Sequence, residues 1–180
     1  MNVFVLNTGR CGSTTFIQAC RHIRNFSAAH ESRVSRIGAE RLAYPLRHIE
    51  ADNRLSWFLG RLDRDYGDAA WYVHLSRDRA ATAESFRRRG ELDVGIMKAY
   101  REGILLGGEA QQDPMALALD YIDTVESNIA LFLRDKTHTL EFALENAKAD
   151  FARFWDWIGA EGDRQQALTE WDTRHNASCR

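Results

Sequence analysis

The chain opens with an apolar run that ends in a loop of small residues, and a helical pattern begins directly after that loop. Residues 3–7 are typical of a buried parallel strand, and residues 8–12 form a loop whose single basic residue is Arg10. In such a unit, backbone N–H groups of the loop and the positive end of the helix dipole attract anions. The segment therefore predicts a cradle for a phosphate-like group.

Further strand and helix patterns alternate along the chain, and this alternation indicates an α/β fold with a parallel sheet. The strand patterns are residues 3–7, 25–30, 71–75 and 137–142. The helical patterns are residues 13–24, 32–66 with a break at Tyr44-Pro45, 79–89, 96–106 and 114–134. Ligands of such folds bind beyond the carboxyl ends of the strands, so the loops after the first three strand patterns are where we expect chemistry.

Composition narrows the class of protein. A length of 180 residues with 44% hydrophobic residues suits one globular domain over residues 1–180, and no apolar stretch approaches a membrane span. Cys11, Cys20 and Cys179 lack metal-ligand spacing and are interpreted as reduced thiols. Together with the absence of a basic leader, this predicts a cytoplasmic location.

The charge is unevenly distributed between the two halves of the chain. Residues 1–90 hold 15 Arg, no Lys and nine acidic residues, a net charge of +6, whereas residues 91–180 have a net charge of −8. An anion site in the first half is consistent with this asymmetry. The Arg residues follow helical periods and are not interleaved with aromatic residues, which argues against a nucleic-acid partner.

The first loop departs from the loops that bind nucleoside triphosphates and dinucleotides. The triphosphate pattern G-x-x-x-x-G-K-[ST] needs a Lys and a longer glycine spacing than residues 9–15 provide, and G-x-G-x-x-G is absent as well. Taken alone, an ordinary strand-to-helix turn with Ser and Thr caps explains the loop about equally well.

The loop after the third strand pattern supplies a second anion-binding signal. Arg77 stands at the end of this strand, and Ser85 follows eight residues later, two turns into the next helix. A guanidinium and a hydroxyl at this spacing can reach one phosphate. The alternative is that Arg77 pairs with a surface acid and that Ser85 has no specific role.

The two loops together resemble those of the sulfotransferase family, which uses 3′-phosphoadenosine 5′-phosphosulfate (PAPS). The resemblance implies a three-layer α/β/α, P-loop NTPase-like sulfotransferase fold, PAPS as co-substrate and no metal. It also implies that Arg77 and Ser85 hold the 3′-phosphate and that Arg10 faces the group being transferred. The 5′-phosphosulfate would be held by Gly9, Arg10, Cys11, Gly12, Ser13, Thr14 and Thr15.

The chain also departs from the family pattern. Gly9 replaces the usual loop Pro, and Arg79 stands where Pro commonly follows the Arg-Asp pair. A Gly-x-x-Gly-x-x-Lys segment is missing near the C-terminus, where residues 174–176 are the nearest substitute. Thr139-Leu140-Glu141-Phe142 and residues 154–159 resemble the late strand and late helix of the family.

A sulfotransferase needs a base for the proton of its acceptor, and related bacterial enzymes keep it after the second strand. Here Glu31 is the first candidate and His30 the second, each weighed against a purely structural role. Residues 33–66 would cover the acceptor side and residues 92–108 would form a lid. The acceptor would be a small molecule, a carbohydrate or a lipid. A P-loop small-molecule kinase and a nucleotide-binding protein without turnover remain alternatives.

Overall fold

The computed structural model describes residues 1–88, 95–108 and 112–173. These residues form a single five-stranded sheet in which every pairing is parallel and the strand order is β2-β3-β1-β4-β5. The strands are β1 (Val3–Leu6), β2 (Ser27–His30), β3 (His48–Ala51), β4 (Trp71–Ser76) and β5 (Thr139–Ala143). The first strand thus lies at the centre of the sheet, with its loop between those of β3 and β4.

Helices connect the strands on both faces of the sheet. They are α1 (Ser13–Cys20), α2 (Leu59–Tyr66), α3 (Arg79–Arg88), α4 (Gly95–Ala99), α5 (Pro114–Leu133), α6 (Ala147–Trp157) and α7 (Arg164–Thr169). A π-helical turn over Tyr100–Ile104 continues α4, and 3-10 turns include Gly38–Arg41 and Asn53–Trp57.

Alternation along the strands divides the core into two layers. In β1, Val3 and Val5 pack with α1 and α6, while Phe4 and Leu6 pack with α3 and α5. Because both faces of β1 are covered, its four residues are all fully buried. The prediction of an α/β fold is confirmed, and the layers are arranged α/β/α.

Several local predictions match the observed elements closely. Asp113 accepts hydrogen bonds from the N–H groups of Met115 and Ala116, and α5 begins at Pro114, as the helical pattern 114–134 predicts. Four apolar residues on one face of α6 are buried in the core: Phe151, Phe154, Trp155 and Ile158.

The prediction of a helical segment over residues 32–66 is wrong in its middle. Residues 48–51 form β3, a central strand between β1 and β2, and only α2 and short 3-10 turns are helical there. The sequence His48-Ile49-Glu50-Ala51 hides this strand because central parallel strands are usually continuous apolar runs.

The polar residues of β3 are tolerated because each has a buried partner. Glu50 is fully buried and accepts hydrogen bonds from the N–H and Oγ of Ser32, both at 2.7 Å. Its Oε2 also lies 2.9 Å from Nε2 of His48. Asp52, directly after the strand, lies 2.6 Å from Nη2 of Arg41, and both side chains are almost completely buried. These tertiary contacts satisfy groups that would otherwise prohibit a central strand.

Helix α1 ends four residues earlier than predicted. After Cys20 the chain turns and its backbone pairs with the segment that follows α6, through an antiparallel bridge between Ile23 and Gly162. The Asn25 side chain extends this contact, since it donates to the Gly159 carbonyl and accepts from the Glu161 N–H. Pairing with a distant segment thus replaces the last predicted turn of the helix.

Neutralising Asp52 should strongly destabilise the fold. An Asp52→Asn substitution keeps the shape and the capping oxygen but leaves the Arg41 guanidinium buried without its counter-charge, which costs about 3 kcal/mol. Urea unfolding of the two proteins measures the difference. Arg36→Ala is the control, since the pair between Arg36 and Glu40 is exposed, and it should cost at most about 0.5 kcal/mol. Equal losses in the two variants would contradict a structural role for the buried pair.

Candidate functional site

The candidate site lies where the carboxyl ends of β1, β2 and β4 meet. Parallel strands bring their ends to one edge of the sheet, so the loops after Leu6, His30 and Ser76 become neighbours although they are far apart in the sequence. The three sets of residues predicted to carry the chemistry come from these three loops.

Buried side chains fix the conformation of the loop after β1. Asn7 is fully buried, and its Oδ1 accepts from the Gly9 N–H at 2.9 Å and from the Cys11 thiol at 3.5 Å. The Tyr121 hydroxyl, reaching in from α5, donates to the Thr8 carbonyl at 2.9 Å. The loop is therefore held in place by the core beneath it, before any ligand binds.

Three residues of the loop adopt left-handed backbone conformations. Gly9 has φ 86°, Arg10 has φ 61° and Gly12 has φ 91°. A proline at position 9 would need φ near −65°, so this loop could not accept the proline that is usual in the family. A Cβ on Gly9 would lie 2.9 Å from Nδ2 of Asn53, and one on Gly12 would lie 2.7 Å from Cδ1 of Leu144. Both positions therefore favour glycine.

The remaining loop residues contribute to the cradle in different ways. Gly12 is the N-cap residue of α1, and Ser13, Thr14 and Thr15 occupy the first turn, with no acidic residue to offset the positive end of the helix dipole. Cys11 points into the core: burial, reinforced by the charge of Glu126, raises the pKa of its thiol to about 12. Only the backbone of Cys11 can therefore serve a ligand, because the thiolate is strongly disfavoured.

The structure brings together Arg10, Arg77 and Ser85, which the sequence predicted as ligands of one nucleotide. The Nε of Arg10 donates to the Ser85 hydroxyl at 3.0 Å, a contact across 75 positions of sequence. Nη1 of Arg77 donates to the Arg10 carbonyl at 3.2 Å. The first loop and helix α3 are thus joined by the residues expected to bind phosphate.

His30 and Glu31, the two candidate bases, have different partners. His30 ends β2, and its Nε2 lies 3.0 Å from the Ser13 hydroxyl in the first turn of α1. Glu31 has a left-handed backbone (φ 51°) and forms an ion pair with Arg54 at 3.1 Å. His30 is therefore in contact with the predicted anion cradle, whereas Glu31 faces the segment that follows β3.

The described part of the predicted lid is packed onto the core. Met97 and Tyr100 are buried, and the Tyr100 hydroxyl donates to Asp120 of α5 at 2.6 Å. Residues 92–94 and the tail segment 174–176 lie outside the described residues, as does Cys179. The predicted acceptor side, residues 33–66, includes the strand β3.

Sequence reasoning missed the residues that shape the site from below. Asn7 directly follows the first strand, a position that could have marked it as a loop-ordering residue. Asn53 lay in a segment read as helix, and Tyr121 lies within a long helix that gives no local signal of contact with a loop. Glu50 was missed together with its strand.

Neither a metal-ligating cluster nor a membrane-spanning helix occurs in the described part of the chain. Residues 1–88, 95–108 and 112–173 contain no group of three or more His, Cys, Asp or Glu arranged to hold a metal ion. Across these same ranges, every helix is too short or too polar to cross a lipid bilayer.

The solved structures that are similar to this fold include two sulfotransferases. The chain matches a sulfotransferase domain from the curacin biosynthetic pathway with a TM-score of 0.63 and 14% identity, over 96% of this chain and 78% of that one. It matches mouse sulfotransferase SULT7A1, in a structure complexed with PAP, with a TM-score of 0.59 and 12% identity. The second match covers 95% of this chain but 63% of the mouse protein, which is therefore substantially longer.

These matches show that the chain has the sulfotransferase fold, as the sequence predicted. No protein-family profile and no curated sequence matches the chain. At identities of 12–14%, the likeness establishes the architecture.

A charged histidine lies on β4 near the site. Nε2 of His74 is 2.6 Å from Glu126 of α5, and its Nδ1 is 3.0 Å from Glu141 of β5. Burial alone would lower the pKa of His74, but the hydrogen bonds to the two carboxylates outweigh it and raise the pKa to about 9. At neutral pH the imidazolium of His74 therefore links β4 to α5 and to β5.

This histidine should make stability depend on pH in the alkaline range. Because the folded-state pKa is raised, its contribution is complete below about pH 6.5 and is lost as the pH rises through about 9. Urea unfolding at several pH values should show wild type losing up to about 3 kcal/mol more than His74→Gln across this interval. His138→Gln controls for removal of a histidine and should keep the wild-type slope. Parallel curves for wild type and His74→Gln would refute the assignment.

Proposed function

We propose that this protein is a sulfotransferase that moves a sulfuryl group from PAPS to an acceptor hydroxyl or amine of a small molecule, a carbohydrate or a lipid. The observation that carries the proposal is the convergence of Arg10, Arg77 and Ser85 beside a glycine-bearing loop at the start of α1. A loop with an adjacent helix N-terminus suits one anionic group, and the arginine pair with its hydroxyl suits a second. PAPS carries anionic groups at two separate positions.

The loop and the first turn of α1 are the proposed site of the 5′-phosphosulfate. Backbone N–H groups of residues 9–15 and the helix dipole favour negative charge there, and buried Asn7 and Tyr121 keep the loop in position. Arg77 and Ser85 are the proposed ligands of the 3′-phosphate. The mouse enzyme of the same fold is complexed with PAP, the adenosine 3′,5′-bisphosphate that remains after transfer, which supports this choice of nucleotide.

The reaction requires an in-line displacement at sulfur. The acceptor oxygen forms a new S–O bond while the S–O bond to the 5′-phosphate breaks, and adenosine 3′,5′-bisphosphate leaves with the electron pair. Negative charge grows on the bridging oxygen, where the preorganised loop N–H groups would stabilise it. The protein mainly positions the two reactants and removes one proton from the acceptor.

His30 is the proposed base for that proton. Its contact with Ser13 puts the imidazole beside the loop proposed to hold the phosphosulfate, and a neutral ring nitrogen can accept a proton. The Glu31 carboxylate, which the sequence favoured, is engaged by Arg54 in an ion pair that an acceptor would first have to open.

Nucleotide preference tests the proposed function directly. Adenosine 3′,5′-bisphosphate should raise the thermal midpoint more than AMP or ATP at equal concentration, since only the bisphosphate fills both anion subsites. At about a hundred times its Kd the ligand should stabilise the fold by about 2.7 kcal/mol. A larger shift with ATP would favour a small-molecule kinase. Binding of the bisphosphate without transfer to any member of a broad acceptor panel would indicate a nucleotide-binding protein without turnover.

The base is tested by comparing His30→Gln with Glu31→Gln. With labelled PAPS and an accepted substrate from the panel, His30→Gln should lower kcat by about a hundredfold or more, because general-base catalysis is lost. Its affinity for adenosine 3′,5′-bisphosphate should stay close to that of wild type, which separates catalysis from folding of the loop. The reverse pattern, with Glu31→Gln as the inactive variant, would assign the proton transfer to Glu31.

A further inference from the structure

The turn that follows β2 is held by one buried side chain of the neighbouring strand. Glu50 of β3 is fully buried, and its Oε1 and Oε2 accept hydrogen bonds from the N–H and the hydroxyl of Ser32, both at 2.7 Å. We propose that Glu50 is a positioning residue for the base, because through Ser32 it fixes the turn in which the chain leaves His30. The inference rests on the proposed function, since it gives Glu50 a part in the transfer step.

The residue between His30 and Ser32 has a backbone that needs such support. Glu31 has φ 51°, a left-handed conformation that a residue other than glycine keeps only where its surroundings enforce it. Its N–H donates to the Ala51 carbonyl at 3.0 Å, and the next N–H along the chain, that of Ser32, donates to Glu50. Two consecutive bonds to β3 thus enforce the left-handed residue, and the chain turns directly after His30.

Glu50 is itself kept in one orientation by His48, which lies two residues earlier on the same face of β3. Nε2 of His48 is 2.9 Å from Oε2 of Glu50, and its Nδ1 is 2.8 Å from the hydroxyl of Ser27 at the start of β2. In the tautomer with its proton on Nε2, His48 donates to Glu50 and accepts from Ser27, so both ring nitrogens are satisfied. The carboxylate therefore receives three donors in the orientation that faces Ser32.

The exposure of Ser32 indicates what the contact provides. Because Ser32 is exposed, water could satisfy its N–H and hydroxyl if Glu50 were absent. A buried carboxylate in a central strand is costly, and an apolar residue would complete β3 at lower cost. What Glu50 adds beyond the strand is therefore a fixed conformation of the turn.

The fixed turn has a direct consequence for the transfer step. Nε2 of His30 lies 3.0 Å from the hydroxyl of Ser13, beside the proposed phosphosulfate site. A base must lie within hydrogen-bond reach of the proton that it removes, and a displacement of about 1 Å can lower a rate about a hundredfold. Loss of the contact between Glu50 and Ser32 should therefore slow transfer. The loop after β1 should be unaffected, since Asn7 holds it independently.

Two variants test the proposal through the difference between turnover and nucleotide affinity. Glu50→Gln places an NH2 group against a donor of the turn or of His48, whereas Ser32→Ala removes only the hydroxyl contact. With labelled PAPS and an accepted substrate from the panel, kcat should fall about tenfold to a hundredfold in Glu50→Gln and about threefold to tenfold in Ser32→Ala. The Kd of adenosine 3′,5′-bisphosphate should stay within about twofold of the wild-type value in both variants.

The choice of variants protects the test against a loss of folding. Ser32 is exposed, so its truncation leaves the core intact even if Glu50→Gln does not fold. Ser127→Ala is the matched control, because this exposed serine of α5 donates to the Asp123 carbonyl far from the turn in sequence. Its kcat and Kd should both match those of wild type. An unchanged kcat in Ser32→Ala, or a loss of nucleotide affinity as large as the loss of kcat, would overturn the proposal.

An asparagine at position 31 distinguishes positioning of the turn from a general effect on the fold. Asparagine adopts the left-handed conformation more readily than glutamate, so in a Glu31→Asn background the turn depends less on Glu50. Ser32→Ala should then lower kcat by less than about twofold relative to Glu31→Asn alone. The same factor in the wild-type and Glu31→Asn backgrounds would show that Ser32 does not act through the conformation of the turn, and would reject the proposal.

The wild-type protein separates failure of this inference from failure of the proposed function. Wild type that transfers no sulfuryl group to any acceptor, or does not prefer adenosine 3′,5′-bisphosphate to AMP, would reject the proposed function and this inference with it. Active wild type, combined with Glu50→Gln and Ser32→Ala variants that are equally active, would reject only the positioning role of Glu50.

Discussion

The candidate site depends on one buried amide, the side chain of Asn7 at the end of the central strand. Its Oδ1 holds the Gly9 N–H and the Cys11 thiol, and its Nδ2 donates to the Val5 carbonyl at 3.0 Å. An amide can do this because it offers donors and an acceptor at once. The loop is thereby coupled to β1, the strand that both core layers cover. Whatever anion binds there meets a backbone that is already ordered, so little conformational entropy is lost on binding.

A second constraint lies in the polar side of β3. Nε2 of His48 contacts the Glu50 carboxylate, and Asp52 pairs with Arg41, which also donates to the Tyr44 hydroxyl. Glu50 also holds the N–H and hydroxyl of Ser32, so this strand orders the turn that follows His30 and Glu31. The strand therefore both completes the sheet and supports the loop in which the base is proposed. Polar groups in a central strand are costly unless they are fully paired, so the partners of these side chains are needed for the strand to form.

Much of the architecture could be read from local patterns. The apolar run of β1, the aromatic and β-branched residues of β4 and the Asp-Pro start of α5 each express a preference that neighbouring residues decide. The resemblance of the two loops to those of sulfotransferases correctly anticipated the fold, which comparison of structures then confirmed at 12–14% identity. The strand β3 was not predicted, because charged residues are tolerated in a central strand only when partners such as Arg41 and Ser32 lie beside it.

The sequence by itself determined the α/β class, the position of the first loop and the residue types available for binding anions, since these follow from local periodicity and loop chemistry. Only the tertiary structure decided which of these residues meet. The sheet order brings the ends of β1, β2 and β4 to one edge. As a result, the Arg10 side chain contacts the Ser85 hydroxyl and His30 contacts the Ser13 hydroxyl. Contacts across 75 and 17 positions depend on how the strands pair, and strand pairing is set by burial across the whole chain and not by any one segment.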